Sequence, residues 1–267
     1  MEQYWDLIKR IILESDLVLE ILDARLVELS RNEEAEKIVE EVGRPLIFVI
    51  NKSDLVSKNI LKNQVRKLRE KGRLVFVSAK RPKDTKILLY AIKKTFKEFG
   101  KGEINEPIQH RVTKADIVVG VIGYPNVGKS SIINALSHKK KAKVGKKPGT
   151  THGIHWIRAT KEIKLIDSPG VIPLSKEDEI RYGLIGAKLD SLKNPQAVAY
   201  ALIKLFLKTN KKGFEKLYGI IIKEENPDYI IREIALKKRL FIKGGNLDEN
   251  RVCFDIIRDW QQGRLRL

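Results

Sequence analysis

The stretch Gly123-Tyr-Pro-Asn-Val-Gly128-Lys129-Ser130 has the residue types of a loop that holds phosphate groups. It follows an apolar, strand-like run and opens a helical pattern, which is the context that this motif requires. Glycines let backbone N–H groups turn toward phosphates, and the helix N-terminus adds a positive dipole end. Lys129 would pair with the β- and γ-phosphates, and the Ser130 hydroxyl would bind Mg²⁺. The predicted nucleotide-binding residues here are Tyr124, Pro125, Asn126, Val127, Gly128, Lys129, Ser130 and Ser131.

A second motif, Asn51-Lys52-Ser53-Asp54, indicates which base is bound. A carboxylate at Asp54 can accept hydrogen bonds from both N1–H and the exocyclic amino group of guanine, and adenine offers no matching pair. Ser78-Ala79-Lys80, which ends the next strand-like run, supports this interpretation, because the small Ala79 lets the backbone approach the guanine carbonyl. We therefore predict guanine contacts from Asn51, Lys52, Asp54, Ser78, Ala79 and Lys80.

The third group of candidate residues concerns the γ-phosphate and the metal ion. Asp167-Ser-Pro-Gly170 ends another strand-like run, so that Asp167 can hold Mg²⁺ and the Gly170 N–H can reach the γ-phosphate. Pro148-Gly-Thr150-Thr151 lies between this motif and the phosphate loop, and Thr151, with Thr150 as the alternative, is predicted to complete the Mg²⁺ shell. The predicted catalytic residues are Lys129, Thr151 and Gly170.

These motifs are positioned by alternating strand-like and helical runs. Strands are predicted over residues 18–22, 46–50, 74–77, 117–122 and 163–166, with helical patterns over 33–41, 59–70, 86–99 and 131–136. Such alternation indicates a mostly parallel sheet covered on both faces, in which ligands bind at the carboxyl ends of the strands. The predicted fold class is therefore α/β, with a P-loop GTPase domain.

The order of the motifs along the chain is unusual. In an ordinary small GTPase the phosphate loop comes first and the guanine motif late, whereas here residues 51–54 and 78–80 precede the loop at 123–130. The parts can still meet if the usual first and last elements are joined, here by the polar stretch 100–114. Surface termini that lie close together make such a rearrangement tolerable. The domain is therefore predicted to be circularly permuted.

Helical patterns dominate after Pro173, and we predict a circularly permuted GTPase domain over residues 1–174 and a small all-α C-terminal domain over residues 175–267. Asn194-Pro195 and Asn226-Pro227 each combine an N-cap residue with proline at the first helical position. A last helix is predicted from about Asp248 to Gln262, stopped by Gly263.

Composition limits the setting of the protein. No apolar run is long enough to cross a bilayer, and the first twelve residues do not form a signal peptide, so a cytoplasmic protein without membrane contact is expected. The one cysteine, Cys253, excludes an internal disulfide and is expected to be buried and inert. The formal net charge of +19 favours a polyanionic partner, in particular nucleic acid.

With these motifs in this order, the chain resembles the circularly permuted GTPases of the YlqF/YawG group. Asp23-Ala24-Arg25 resembles the signature of that family after the first strand, and Lys243-Gly-Gly245 and Asp259-Trp260 resemble its C-terminal region. The resemblance implies a GTPase that uses GTP, GDP and Mg²⁺, and that assists assembly of the large ribosomal subunit by contacting a subunit precursor and its rRNA.

The resemblance also bears on hydrolysis. Ras-type GTPases orient water with a glutamine after the Asp-x-x-Gly motif, but Val171 stands there in this chain. Asn126 matches a residue that coordinates K⁺ in related GTPases, so slow turnover stimulated by K⁺ and by the ribosomal partner is expected. The histidine near the N-terminus that some relatives use has no counterpart here, and His152 and His155 are expected to be ordinary loop residues.

A basic run next to the predicted Thr151 switch could contact rRNA phosphates. It places six lysines in nine residues, namely Lys139, Lys140, Lys141, Lys143, Lys146 and Lys147. Further candidates in the C-terminal region are Lys208, Lys211, Lys212, Lys237, Lys238, Arg239 and Lys243. Contacts of this type give affinity without base specificity and weaken steeply with salt.

Two other function classes remain open from the sequence. In one, the GTPase is an accessory of an RNA-modifying or metabolic enzyme, which would need a second chemical site. In the other, the chain is an RNA-binding module that does not hydrolyse GTP, against which the intact set of Lys129, Ser130, Thr151 and Asp167 argues.

Overall fold

The computed structural model describes residues 2–99, 117–137, 155–168, 179–186 and 189–267, with side chains from residue 4 onward except at residue 179. The chain divides into two compact units. The first unit comprises Met1–Asp54 and Leu61–Pro173, and the second comprises Leu55–Ile60 and Leu174–Leu267. No helix among the described residues is long and apolar enough to span a membrane.

The first unit is built on a sheet in which six strands are described. The strands are β1 (Leu17–Asp23), β2 (Leu46–Asn51), β3 (Arg73–Phe76), β4 (Ile117–Ile122), β5 (His155–Arg158) and β6 (Ile163–Asp167). Their order across the sheet is β3-β2-β1-β4-β6-β5, and every neighbouring pair is parallel except β5 with β6. The mostly parallel α/β sheet predicted from the alternating pattern is therefore confirmed, with β5 as an additional antiparallel edge strand.

Helices connect the strands and continue into the second unit. The described α-helices are α1 (Glu2–Leu13), α2 (Val27–Ser30), α3 (Glu33–Val42), α4 (Lys58–Gln64), α5 (Pro82–Phe99), α6 (Lys129–Ser137), α7 (Glu179–Ile185), α8 (Pro195–Thr209), α9 (Lys211–Tyr218), α10 (Pro227–Lys238) and α11 (Glu249–Gln261). The predicted helix over residues 59–70 is wrong in length, because α4 ends at Gln64 and a separate 3-10 turn covers Lys67–Glu70.

The core of the first unit follows from the burial of the strands. Every residue of β1 and β4 is buried, as expected for central strands covered on both faces. On one side Ile8 and Ile12 of α1 pack with Val18, Ala35 and Val39 in a single apolar cluster. The sheet is thereby fixed as a rigid platform whose carboxyl ends can hold loops in defined positions.

The second unit is helical, and the predicted helix starts are found in it. Asn194 and Asn226 cap α8 and α10 by accepting hydrogen bonds from the Ala197 and Asp228 N–H groups, with proline next in the chain. The Trp260 indole is fully buried and donates to the Leu184 carbonyl at 2.8 Å. Cys253 is buried, as expected.

One segment before residue 175 groups with the second unit rather than the first. Residues Leu55–Ile60 directly follow the predicted guanine motif, and the Leu267 N–H donates to the Leu55 carbonyl at 2.8 Å. The Ser57 N–H in turn donates to the Leu267 carbonyl at 2.7 Å. Because these bonds join residues far apart in the sequence, no local sequence pattern indicates that Leu55–Ile60 group with the second unit.

Candidate functional site

The carboxyl edge of the parallel strands is where the predicted motifs meet. Strand β4 ends at Ile122 before the phosphate loop, β2 ends at Asn51, and β6 ends at Asp167. Strand β1 lies between β2 and β4, so Asp23 at its end stands between the guanine motif and the phosphate loop. The sheet order thus brings together motifs that the sequence separates by more than a hundred residues.

The phosphate loop has the backbone conformation that its glycines were expected to allow. Gly123, Asn126 and Gly128 all have positive φ, at 148°, 62° and 102°. A side chain at Gly123 would place its Cβ 2.7 Å from the Ile21 carbonyl oxygen of β1. The loop therefore lies directly against the end of β1, and only glycine fits at this first position.

Asn51 joins three of the motif loops through its buried side-chain amide. Its Nδ2 donates to the Val127 carbonyl in the phosphate loop at 2.8 Å. Its Oδ1 accepts a hydrogen bond from the Ala79 N–H at 3.3 Å, in the loop Ser78-Ala79-Lys80. In the structure, Asn51 thus holds the guanine motif and the phosphate loop in fixed register. That it also contacts the nucleotide stays a prediction.

Lys52 forms the second connection, and it depends on a buried ion pair. Its Nζ donates to the Asn126 carbonyl at 2.8 Å and to Asp23 Oδ2 at 2.7 Å. Asp23 also accepts hydrogen bonds from Arg25 Nη2 at 2.8 Å and from Arg25 Nε at 3.0 Å, so the guanidinium binds the carboxylate with two nitrogens. Since the Arg25 side chain is only 2% exposed, this pair is shielded from water.

Burial and the neighbouring charges shift the pKa values of Asp23 and Lys52 in this cluster. Burial by itself raises the pKa of the Asp23 carboxyl, but the Arg25 guanidinium and the Lys52 ammonium outweigh it, and the pKa lies far below its usual range. Burial lowers the pKa of the Lys52 ammonium from its usual value, and Asp23 opposes this effect. Asp23 therefore carries its negative charge at neutral pH, and it positions Lys52 and, through Lys52, the phosphate loop.

We expect Asp23→Asn to lower the free energy of unfolding by about 3–5 kcal/mol, because it leaves buried Arg25 without its counter-charge. It should also weaken GDP binding, because Lys52 would no longer be held toward Asn126. The stabilisation from the depressed pKa is present above the unfolded-state value of about 3.9 and is lost as pH falls below it. Urea unfolding at several pH values, with GDP titrations, measures both effects.

The matched control is Asp6→Asn on the exposed side of α1, which removes the same charge and should change stability by less than about 0.5 kcal/mol. If Asp23→Asn unfolds no more easily than this control at neutral pH, the Asp23–Arg25–Lys52 cluster does not support the site.

Lys129, the first residue of α6, is buried next to the end of β6. Its Nζ lies 3.1 Å from Asp167 Oδ1 and 2.5 Å from the Ser168 carbonyl oxygen. Ser130 follows it at the N-terminal end of α6 and is half-buried. The predicted phosphate lysine and the predicted metal carboxylate are therefore in contact, at the N-terminus of a helix whose dipole favours anions.

The oxygen groups at this point suit Mg²⁺, which prefers hard oxygen ligands and usually takes only one or two carboxylates from the protein. Asp167 offers a carboxylate and Ser130 a hydroxyl, on neighbouring elements. Among the described residues there is no group of three or more His, Cys, Asp or Glu side chains that could enclose a metal ion. The remaining ligands would be phosphate oxygens and water.

The predicted guanine residues lie at the ends of β2 and β3. Asp54 is half-buried in a 3-10 turn, and the Ser53 N–H of that turn donates to the Val77 carbonyl at 3.1 Å. Ser78 is buried and donates its N–H to Asp84 Oδ2 at 2.8 Å, while Ala79 is half-buried and Lys80 is exposed. The loop of Ser78 is thus braced by the first turn of α5.

Several predicted residues lie outside the described part of the chain: Thr150, Thr151, His152, Gly170, Val171 and the six lysines from Lys139 to Lys147. His155 is described. It is exposed at the start of β5, in register opposite Asp167.

In the sequence Asp23 and Arg25 stand out only as part of a family signature, and Gln64 does not stand out at all. Gln64 of α4 holds the loop after β1, because its Oε1 accepts from the Val27 N–H at 2.8 Å and its Nε2 donates to the Arg25 carbonyl at 3.1 Å. The position of acidic Asp23 at the end of β1, beside the strand β2 that leads to the guanine motif, could have indicated a role at the site. Nothing in the local sequence indicates Gln64.

Comparison with known proteins identifies a matching family and several relatives of this chain. The family model described as 50S ribosome-binding GTPase matches residues 118–235. An uncharacterized GTP-binding protein of Methanocaldococcus jannaschii is 40% identical over 97% of this chain, and the alignment covers 65% of that protein. Ribosome biogenesis GTPase A of Bacillus cereus is 31% identical over 94% of this chain and 84% of its own length.

Relatives of greater length are matched over only part of their chains. Nucleolar GTP-binding protein 2 of Candida glabrata is 31% identical over 99% of this chain, which spans 51% of that protein. Among solved structures, the crystal structure of GNP-bound YlqF from T. maritima has a TM-score of 0.58 with 20% identity. That match covers 94% of this chain and 90% of the other, and it supports the fold.

Proposed function

This chain belongs to the YlqF-type family of circularly permuted ribosome biogenesis GTPases, and from this premise we propose that it binds and hydrolyses GTP while acting on the large ribosomal subunit. The observation that carries the proposal is the meeting of the guanine motif and the phosphate loop at one sheet edge, joined by the Asn51 amide. The names of the matched family and relatives support the ribosomal partner.

The residues of this edge divide the work of nucleotide binding. Asp54 selects guanine, and the N–H groups of the phosphate loop and of the first turn of α6 receive the phosphates. Lys129 leaves Asp167 and Ser168 to pair with the β- and γ-phosphates, which releases the Asp167 carboxylate for the metal shell. Ser130 and Asp167 would hold Mg²⁺, which would supply positive charge next to the phosphates.

We further propose that Asn126 takes part in a K⁺ site and that turnover is slow without K⁺ and a ribosomal partner. Asn126 is exposed at the tip of the phosphate loop, and its carbonyl is fixed by Lys52. In this proposal Thr151 would complete the Mg²⁺ shell, and the Gly170 N–H would reach the γ-phosphate. With hydrophobic Val171 in the position of the Ras-type glutamine, the protein needs a group from outside this motif to orient water.

The proposed rRNA contacts include the lysines from 139 to 147 and the exposed basic residues of the second unit. Lys208, Lys212, Lys237, Arg239 and Lys243 are exposed there, whereas Lys211 is half-buried and pairs with Glu225 at 3.1 Å. The Lys238 ammonium lies 3.5 Å from Asp255 and 5.0 Å from the Tyr218 ring centroid. The chain is proposed to act on rRNA within a large-subunit precursor, and its cytoplasmic location stays a prediction.

The test is GTP turnover in KCl and in NaCl, with and without purified large ribosomal subunits. We expect turnover to rise at least about tenfold when both K⁺ and subunits are present, because oriented charge at the transferring phosphoryl group is worth several kcal/mol. The variant Asn126→Gly removes the side chain of the proposed K⁺ site and keeps the positive φ of 62° without strain. It should lose the stimulation by K⁺ and keep the stimulation by subunits. Fast turnover that neither cation nor subunit changes would contradict the proposal.

A further inference from the structure

Helix α5 has an outer face that carries charge of a single sign. Its inner face is formed by Thr85, Leu88, Ala91, Ile92 and Thr95, all buried in the first unit. With 3.6 residues per turn, the lysines at 83, 86, 93, 94 and 97 lie within about 120° of the helix circumference, opposite that buried face. We call these five lysines, with Ile87 and Tyr90 between them, the α5 basic face.

Few acidic side chains in the described part of the chain neutralise this face. Lys93 pairs with Glu162 at 2.5 Å, and Lys94 approaches Glu98 at 3.8 Å. Glu98, at the border of the face, is also bound to Arg73 at 2.5 Å. Among the described residues, Lys83, Lys86 and Lys97 have no ion-pair partner. Three ammonium groups therefore project without a counter-charge along about 21 Å of helix, at 1.5 Å per residue.

The other surface helices of the first unit distribute charge differently. The exposed charged residues of α1 include Asp6 together with Lys9 and Arg10, and α3 exposes four glutamates around Lys37. Charge is thus separated within the unit, with an acidic helix in one place and a basic helix in another. A general excess of lysine would not produce this separation, whereas an anionic partner bound to α5 would favour it.

The apolar residues on the face identify the kind of anion. Tyr90 is 68% exposed in the middle of the lysines, and Ile87 beside it is 47% exposed. Exposed aromatic rings between cationic side chains are the combination that stacks unpaired bases while holding the phosphate backbone. A membrane surface fits less well, because most of the apolar face of α5 is already buried in the fold. The third exposed apolar side chain of the helix, Phe99, lies on the opposite side from Tyr90 and does not extend the apolar area of this face.

We propose that the α5 basic face binds RNA, with Lys83, Lys86 and Lys97 on phosphates and Tyr90 stacked on an unpaired base. This inference rests on the proposed function and adds to it a second RNA-contacting region, within the GTPase unit itself. Helix α5 begins two residues after Lys80, which ends the loop Ser78-Ala79-Lys80 that is predicted to contact guanine, and Asp84 of α5 accepts a hydrogen bond from the Ser78 N–H. RNA on this face would therefore lie on the helix that braces the Ser78–Lys80 loop.

The test measures binding of the full chain to a fluorescein-labelled RNA stem-loop with a single-stranded flank, over KCl concentrations from about 50 to about 200 mM. Replacing Lys83, Lys86 and Lys97 by glutamine should lower the slope of log affinity against log salt by about 2–3, since each lost phosphate contact removes nearly one unit. Tyr90→Ala should weaken binding about 5- to 100-fold with little change of slope.

The matched control replaces Lys9, Lys37 and Lys161, which are exposed elsewhere on the same unit, by glutamine. It removes equal charge and should keep most of the slope of log affinity for RNA against log salt. The affinity for GDP should be unchanged in all variants. A slope equal to that of the unmodified protein in the α5 variant would overturn this inference and leave the proposed function standing. If the α5 variant loses binding to phosphatidylserine vesicles while its RNA binding is unchanged, the inference is also overturned. An unmodified protein that binds neither the RNA nor large subunits would contradict both.

Discussion

Asp54→Asn is expected to lower the affinity for GDP by about two to four orders of magnitude and to create affinity for the xanthine nucleotide XDP. In the proposed site the carboxylate would accept two hydrogen bonds from guanine, each worth about 1.5–3 kcal/mol to a charged partner. An asparagine amide presents a donor where the guanine amino group also donates, whereas xanthine has an oxo group there. Calorimetric titration with GDP and XDP measures the exchange.

The gain of XDP binding is the internal control for this substitution. A misfolded variant would lose both nucleotides, so retained XDP affinity shows that the site is intact. The Asp54 side chain is half-buried in the middle of a 3-10 turn, where the substitution changes no apolar packing. Unaltered GDP affinity in the variant would show that base recognition lies elsewhere.

Gly128→Ala is expected to reduce nucleotide affinity about a hundredfold or more while the fold is retained. A Cβ at this position would lie 2.1 Å from Asn51 Nδ2, and the backbone φ of 102° is already unfavourable for alanine. Asn51 would have to give up its bond to the Val127 carbonyl, which separates the phosphate loop from the guanine motif. The lost bond and the strain each cost about 1–3 kcal/mol.

Gly43→Ala is the matched control for Gly128→Ala. Gly43 also has positive φ, at 73°, but a Cβ there would meet nothing within 4 Å. It should cost about 1 kcal/mol of stability and leave GDP affinity unchanged, since only the backbone preference is lost. Equal GDP affinity for the two variants would show that the contact of Gly128 with Asn51 does not matter for binding.

Much of the first unit was predictable because its signals are local. The runs at 46–50 and 117–122 predicted β2 and β4 closely, and their motifs follow each strand within one or two residues. Knowing that parallel strands share one carboxyl edge was enough to place Lys129 near Asp167, and they lie 3.1 Å apart. The resemblance to the YlqF-type family is confirmed by the relatives.

The features that were missed depend on contacts distant in sequence. Strand β5 is short, and only Ile157 of it is buried, so its pattern is too weak to recognise without β6 beside it. Gln64 reaches back 39 residues to the Arg25 carbonyl, and Asn51 reaches 76 residues forward to Val127. Such side-chain bonds depend on the assembled sheet, and therefore they are visible only in three dimensions.

The permuted order places two of the nucleotide-binding motifs directly before segments of the second unit in the sequence. In the sequence, the Asp167–Gly170 motif is followed within a few residues by the second unit, and the chain also enters that unit directly after Asp54. Both the γ-phosphate motif and the guanine motif are thus covalently adjacent to the segment proposed to contact rRNA. A change of nucleotide at the sheet edge could therefore alter ribosome binding through either connection.

Sedimentation of the protein with purified large ribosomal subunits, in a non-hydrolysable GTP analogue and in GDP, tests the central claim most directly. The account predicts that the protein sediments with large subunits when the analogue is bound, remains in the supernatant with GDP, and does not sediment with small subunits. Equal association in the two nucleotides, or association with neither, would contradict the claim that this permuted GTPase acts on the large subunit.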